Sequence, residues 1–210
     1  MTEEIKDRLD KGLMLPLVEE FYTLQGEGLQ AGRAAYFVRL GGCDVGCAWC
    51  DTKHSWNPTL FPPVDTDEIV SRCIEWPGKA VVVTGGEPLN YNLEYFTRKL
   101  KEYQIETFLE TSGAYPISGY WDWICLSPKK NMPPVKPIHQ MAHELKVVIH
   151  NEDDLLWAEE NAKEVSSKCS LLLQPEWSKR ELILPHIIGY IQENPRWRLS
   201  LQMHKWIHIP

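Results

Sequence analysis

The chain has 210 residues, a formal net charge of −7, 43% hydrophobic and 24% charged residues. The length suits one domain with a sizeable core, and the composition is that of an ordinary globular protein. The acidic balance excludes general attraction to nucleic acid or anionic membrane, the apolar runs are far too short to span a bilayer, and the charged start MTEEIKDRLDKG has no signal-peptide core. A cytoplasmic protein with no direct nucleic-acid partner and no membrane partner is expected, with its thiols reduced.

Along the chain, LPLVEEFYT is an extended piece that adds an edge strand, followed by the strand AYFVRL (35–40). DTDEIVSRCIEW is a helix with Asp65 or Thr66 as N-cap and Ile69, Val70, Cys73 and Ile74 on one face. The strand AVVVT (80–84), the helix NLEYFTRKLKEY and the strand ETFLE (106–110) come next. TSGAYPISGYW is too short and too rich in glycine and proline for a crossover helix before the strand WICLS (123–127). LKVVI (145–149), the helix EDDLLWAEENAKEV, SLLLQ (170–174), the helical SKRELILPHIIGYIQ and RLSLQM (198–203) complete the alternation, with Pro185 expected to kink or break the last helix.

Strand–helix alternation predicts an α/β fold with a parallel sheet and right-handed crossovers. A complete eightfold barrel typically needs ~250 residues, so a partial, open barrel fits this length better. The polar and glycine-rich clusters follow the strands: GGCDVGCAWCDT (41–52), GGEP (85–88), TSG (111–113), SPKK (127–130), His150, QPEW (174–177) and HKWIHIP (204–210). Ligand sites of parallel α/β folds gather at those carboxyl ends, which is an enzyme's layout.

Cys73, Cys125 and Cys169 read as small buried hydrophobes. Cys43, Cys47 and Cys50 form C-x3-C-x2-C and admit two readings. With His54 they make a Cys3His zinc site of a zinc-stabilised binding module. Alternatively, three thiolates hold an iron–sulfur cube and leave one iron open. A zinc staple suits a small unit without its own core, whereas this loop follows a strand of a substantial barrel, which favours iron–sulfur.

The cysteine spacing, with Trp49 just before Cys50 and GGEP after the next strand, resembles the radical S-adenosylmethionine (SAM) superfamily. FYTLQGEG (21–28), FVRLGGC (37–43), the CDT ending (50–52), TGGEP, SPK and HKWIHIP are similar, from Phe21 to Pro210, to the 7-carboxy-7-deazaguanine synthase family. A glycyl-radical-enzyme activase shares the cysteine spacing but has no use for QGEG. The resemblance implies a partial, open and reduced TIM-like parallel β/α barrel of the radical SAM type. It implies one domain over 1–210, with an N-terminal extension of about 1–20 and a substrate-facing tail of about 204–210. Some family members carry a long insertion between the first two cysteines, and this chain has the short spacing.

The implied reaction is conversion of 6-carboxy-5,6,7,8-tetrahydropterin to 7-carboxy-7-deazaguanine with loss of ammonia, by a lyase of queuosine biosynthesis. The implied cofactors are a [4Fe–4S] cluster on Cys43, Cys47 and Cys50, SAM as its fourth ligand, and Mg2+ on Thr52. Trp49, Gly86, Glu87, Ser127, Lys129, Gln174 and Glu176 would contact SAM. Leu24, Gln25, Gly26, Glu27, Arg39, Thr84, His204 and Pro210 would contact the substrate. A carboxylate suits the pterin's adjacent N–H donors, and an arginine fork suits its carboxylate. No side chain is assigned as acid or base, since the cofactor carries the hard chemistry. Implied partners are the small-molecule pterin, a reductant protein such as flavodoxin or ferredoxin, and a second copy in a homodimer.

Overall fold

The computed structural model describes residues 2–210. The chain opens on helix α1 (Glu3–Asp10), where sequence reading placed no element. Its start is nonetheless a regular cap: the Thr2 hydroxyl accepts from the Ile5 N–H at 3.3 Å, and Glu3 and Glu4 sit at the positive end. Strand β1 (Met14–Leu24) then pairs antiparallel with β2 (Ala34–Leu40). The expected edge strand is therefore eleven residues long, and residues 14–20 belong to the sheet rather than to an N-terminal extension.

The short β3 (Pro63–Asp65) covers the far side of β1. Helix α2 (Thr66–Cys73) is capped by Asp65, whose carboxylate accepts from the Asp67 N–H at 2.9 Å. Next come β4 (Ala80–Gly85), α3 (Glu94–Glu102), β5 (Glu106–Thr111), and β6 (Trp123–Leu126), the last reached without a helix, as expected from the intervening glycines and prolines. A single turn α4 (Ile138–Met141), β7 (Glu144–Ile149), α5 (Asp153–Glu164) and β8 (Ser170–Pro175) follow.

Helix α6 (Arg180–Glu193) runs through Pro185 without breaking. An interior proline costs about 3 kcal/mol. Here Ile183 and Ile187 are buried against the sheet next to β8, and that packing outweighs one missing helical bond. The final strand β9 (Trp197–Leu199) is shorter than the expected 198–203. Only Trp197 is buried there, and the Met203 N–H bonds to the Gly26 carbonyl at 2.8 Å, drawing the chain into helix α7 (Met203–Ile207).

All strands join one sheet in the order β3-β1-β2-β4-β5-β6-β7-β8-β9, parallel from β2 onward, with β3 and β9 as free edges. This is the open barrel that length and alternation predicted. Among the described residues no helix is long and apolar enough to cross a membrane.

Strand side chains alternate between faces with a period of two, and that period sorts core from site. Val38, Val81, Val83, Leu109, Leu145, Val147 and Leu173 point outward into the main core with Phe96 and Leu100 of α3. Their neighbours in the alternation point inward. Ala35, Ala80, Val82 and Phe108 make a small apolar floor. Above it on the same face stand Arg39, Thr84, Glu110, Lys146 and Gln174.

Phe96 is fully buried in the helix layer. Phe96→Ala should lower unfolding free energy by about 3–5 kcal/mol in urea titrations. Leu182→Ala, at a position 69% exposed, should stay within about 0.5 kcal/mol of the parent.

Candidate active site

The carboxyl ends of the parallel strands surround a cavity of about 440 Å³. Every residue named from the sequence as a cluster ligand, magnesium ligand, SAM contact or substrate contact lines it, from Leu24 on β1 to Pro210. His54 does not: it lies exposed in the turn Lys53–Ser55, away from the cavity wall.

The cysteine loop is pinned from three sides. The Gly42 and Cys43 N–H groups donate to the Ser55 and Trp56 carbonyls at 2.7 and 3.1 Å. The Gly41 carbonyl accepts from Tyr91 Oη at 2.7 Å, and the Gly42 carbonyl accepts from the Glu87 N–H at 2.8 Å. The turn after β4 approaches so closely that a Cβ on Gly86 would lie 2.2 Å from the Gly42 oxygen and 2.9 Å from Cys43 Cβ. Trp56 Nε1 donates to Cys50 Sγ at 3.4 Å, and Thr52 Oγ1 lies 3.5 Å from the same sulfur. Thr52 begins the turn that follows it through its carbonyl, which accepts from the Ser55 N–H at 2.9 Å, while its side chain makes no capping bond. Burial pushes the Cys43 and Cys47 thiols above the ordinary range, so ionising them calls for a nearby cation.

On the side assigned to SAM, Glu87 is 2% exposed and its carboxylate is committed to the protein. Oε1 accepts from Thr111 Oγ1 at 2.5 Å and from the Leu89 N–H at 3.1 Å, and Oε2 accepts from the Ser112 N–H at 2.8 Å. That side chain braces the turn, and the turn's backbone is what a ligand can reach. Lys129 Nζ donates to the Ser127 carbonyl at 2.5 Å and lies 5.6 Å from the centre of the Trp49 ring. Burial lowers its pKa, with Cys47 opposing. Gln174 accepts from Ser200 Oγ at 2.8 Å, while Glu176 caps the turn at Ser178 and sits 3.6 Å from His150 Nδ1.

Across the cavity, Gln25 and Glu27 rest on a buried ionic group. Lys146, 4% exposed on β7, places Nζ 2.6 Å from Glu27 Oε2 and 2.9 Å from Glu110 Oε2. Gln25 Nε2 donates to the other Glu110 oxygen at 3.0 Å. Burial alone would raise the Glu27 pKa, but the charge and hydrogen bond of Lys146 outweigh it and hold the value at about 2. Arg39 gives its Nε–H to Glu19 at 2.6 Å, leaving its other N–H groups outside that bond. His204 packs on Gly26, where a Cβ would meet Nδ1 at 2.3 Å, and burial lowers its pKa. Helix α7 is tied over the mouth by Gln202 to Glu27 at 2.9 Å and Lys205 to Asp51 at 2.5 Å.

Sequence reading missed Lys146, Glu110, Asp51 and Gln202. The signal for the first two was present: both stand in apolar strands, in phase with Thr84 and Gln174. Residues 37–125 match the model of the radical SAM superfamily. The 7-carboxy-7-deazaguanine synthase of Flavobacterium psychrophilum is 54% identical over 210 residues, covering all of both chains. The chain belongs to the 7-carboxy-7-deazaguanine synthase family.

The family's synthase from Synechocystis sp. is 44% identical over 92% of this chain and 93% of its own. The crystal structure of QueE from Escherichia coli aligns with a TM-score of 0.79 at 29% identity, covering 97% of this chain and 99% of that one.

Radical SAM proteins imply a [4Fe–4S] cluster and SAM, and the donor set here suits a cluster better than a single ion. In a tetrahedral zinc site with Zn–S of about 2.3 Å the sulfurs lie about 4 Å apart. Among the described residues only Glu110, Cys125 and Glu144 bring their ligand atoms within 4.8 Å of one another, and the Lys146 ammonium already serves those acids. The three cysteines of the loop do not form such a group, so at least one of their sulfurs stands farther off than a single tetrahedral ion allows.

Gly86→Ala should overpack the contact with Gly42 and Cys43, costing about 1–3 kcal/mol. Thermal unfolding should show the loss, and iron uptake on reconstitution should fall with it.

Proposed function

We infer that this protein is a radical SAM lyase that converts 6-carboxy-5,6,7,8-tetrahydropterin to 7-carboxy-7-deazaguanine with release of ammonia, in 7-deazapurine (queuosine) biosynthesis. One observation carries the reading: three cysteines, the Gly86 turn and the Glu27 carboxylate open onto the same cavity. The full-length likeness to a named synthase supports it.

In this reading Cys43, Cys47 and Cys50 hold the cluster, and one iron is left for the amino and carboxylate groups of SAM. When bound, the cluster and SAM would together supply one-electron, hydrogen-abstracting radical chemistry, the electron coming from the reductant. The protein's part is to place and shield. Gly85 and Gly86 let the backbone approach SAM, with Glu87 bracing them from behind through Thr111 and Ser112. Trp49, Ser127, Lys129, Gln174 and Glu176 complete that wall.

Glu27 and Gln25 receive the pterin's aminopyrimidinone edge, since an ionised carboxylate accepts from two adjacent N–H donors. Arg39 takes the substrate carboxylate through the N–H groups outside its bond to Glu19. Leu24, Gly26, Thr84, His204 and Pro210 line the rest of the pocket. Thr52 offers a hydroxyl for Mg2+, which keeps most of its waters and needs few protein ligands. A single domain over 1–210, a homodimer, a cytoplasmic location and a flavodoxin or ferredoxin as reductant belong to the same proposal.

Anaerobic reconstitution followed by SAM, reductant, Mg2+ and 6-carboxytetrahydropterin should yield 7-carboxy-7-deazaguanine. Release of 5′-deoxyadenosine with no pterin consumed would refute the substrate assignment and leave the superfamily standing.

Cys43→Ala, Cys47→Ala and Cys50→Ala should each lose the brown four-iron chromophore. His54→Ala should keep it, with iron content near the parent's. Equal loss in His54→Ala would restore the Cys3His zinc site.

A further inference from the structure

The proposed function uses Glu27 but gives no task to the buried cation behind it. Glu27, Lys146, Glu110 and Gln25 form a closed ring. Lys146 Nζ bridges Glu27 Oε2 at 2.6 Å and Glu110 Oε2 at 2.9 Å. Glu110 Oε1 accepts from Gln25 Nε2 at 3.0 Å, and Gln25 Oε1 accepts from the Glu27 N–H at 3.2 Å. Gln202 Nε2 donates to Glu27 Oε1 at 2.9 Å. A carboxylate has about four acceptor positions. Lys146 donates to Oε2 and Gln202 to Oε1, and the Gln174 side chain also faces this carboxylate, so the partners do not fill those positions and capacity remains for a ligand.

We propose that Lys146 is a positioning residue for substrate recognition, fixing Glu27 as an ionised double acceptor on the cavity wall. The proposal rests on the reading in which Glu27 takes the paired N–H donors of the pterin. The physical need for a cation is plain from the neighbours. Glu27, Glu110 and Glu144 crowd one interior, and like charges in low dielectric drive one acid to keep its proton. Burial and the charge of Glu110 push the Glu144 pKa up in that direction. If Glu27 were the acid to protonate, it would present a hydroxyl donor toward donors and lose half its acceptor edge.

The other charged groups facing Glu27 are Glu110 from β5, Asp51 from the cysteine loop, and His204 and Lys205 from α7. Lys205 is paired with Asp51 at 2.5 Å. Lys146 is therefore the cation whose removal changes the state of Glu27. With it present, Glu27 is ionised throughout the neutral range and contributes no pH dependence to binding. Without it, burial raises the Glu27 pKa, and affinity falls as pH drops below the raised value.

The test is the KM for 6-carboxytetrahydropterin on the reconstituted, SAM-loaded full-length enzyme from about pH 6 to about pH 9. The ratio of variant to parent cancels the titration of the substrate; Lys146 also lowers the His204 pKa, so the same ratio is measured in a His204→Asn background, where that titration is gone. For Lys146→Met the ratio should be large at low pH and shrink toward high pH, approaching tenfold per pH unit below the raised pKa. Lys146→Met/Glu110→Gln keeps the buried net charge of the parent, and should show the same slope even if the single variant does not fold. A ratio that is constant with pH in the double variant would make Lys146 merely structural and overturn the proposal. A Glu27→Gln control separates the two layers. Raised KM in Glu27→Gln beside a flat ratio for the Lys146 variants would refute only the positioning role. Unchanged KM in Glu27→Gln would remove Glu27 from the substrate contact and the inference with it.

Discussion

The buried ammonium of Lys146 is the contact on which the arrangement of the cavity depends. One cation, carried on a central strand, gathers acids from the loop after β1 and from β5. Through them it also orders Gln25 and Gln202. A buried ion pair is weak evidence for stability, since desolvation of both charges offsets much of their attraction. Removing one partner is a different matter, costing about 3–5 kcal/mol because a charge is left unpaired. Such a group persists where it holds a geometry that an apolar core would not. Here that geometry is a wall of acceptors facing the cysteine loop across one cavity.

Close backbone approach supplies the other half of the arrangement. Contacts that leave no room for a side chain include Gly86 on Gly42, Gly26 on His204, and Gly28 on the Glu144 carboxylate. The first locks the cysteine loop to the turn after β4. The other two lock the substrate-side loop to α7 and to the ionic floor. The motifs that surround the cavity are thus short because they are mutually packed. The two walls are joined across the mouth by the Lys205–Asp51 pair.

The parallel strands β4 to β8 were legible because they are largely buried and read as near-continuous apolar runs. The cavity residues were legible as motifs, since the cysteines, GGE and QGEG fall in loops after strands. What escaped was set by tertiary contacts. Lys146 and Glu110 sit inside strands, where a single charged residue in an apolar run carries no motif, although the period of two marks their face. Pro185 argued for a break that the packing of Ile183 and Ile187 overrode. Met203 continued a strand-like pattern, but its N–H found the Gly26 carbonyl instead of a neighbouring strand. The Thr2 cap of α1 was in the sequence, but a helix with no buried residue has no apolar face to announce it.

In the proposed function, cluster and substrate share this one cavity, with Glu27 as the acceptor. A crystal structure of the reconstituted protein with SAM and 6-carboxytetrahydropterin, with iron located by anomalous scattering, tests it most directly. Iron should be bound by Cys43, Cys47 and Cys50, with the pterin's N–H edge at about 2.7–3.1 Å from Glu27. Iron held by His54, or a pterin whose N–H edge lies away from an unliganded Glu27, would contradict it.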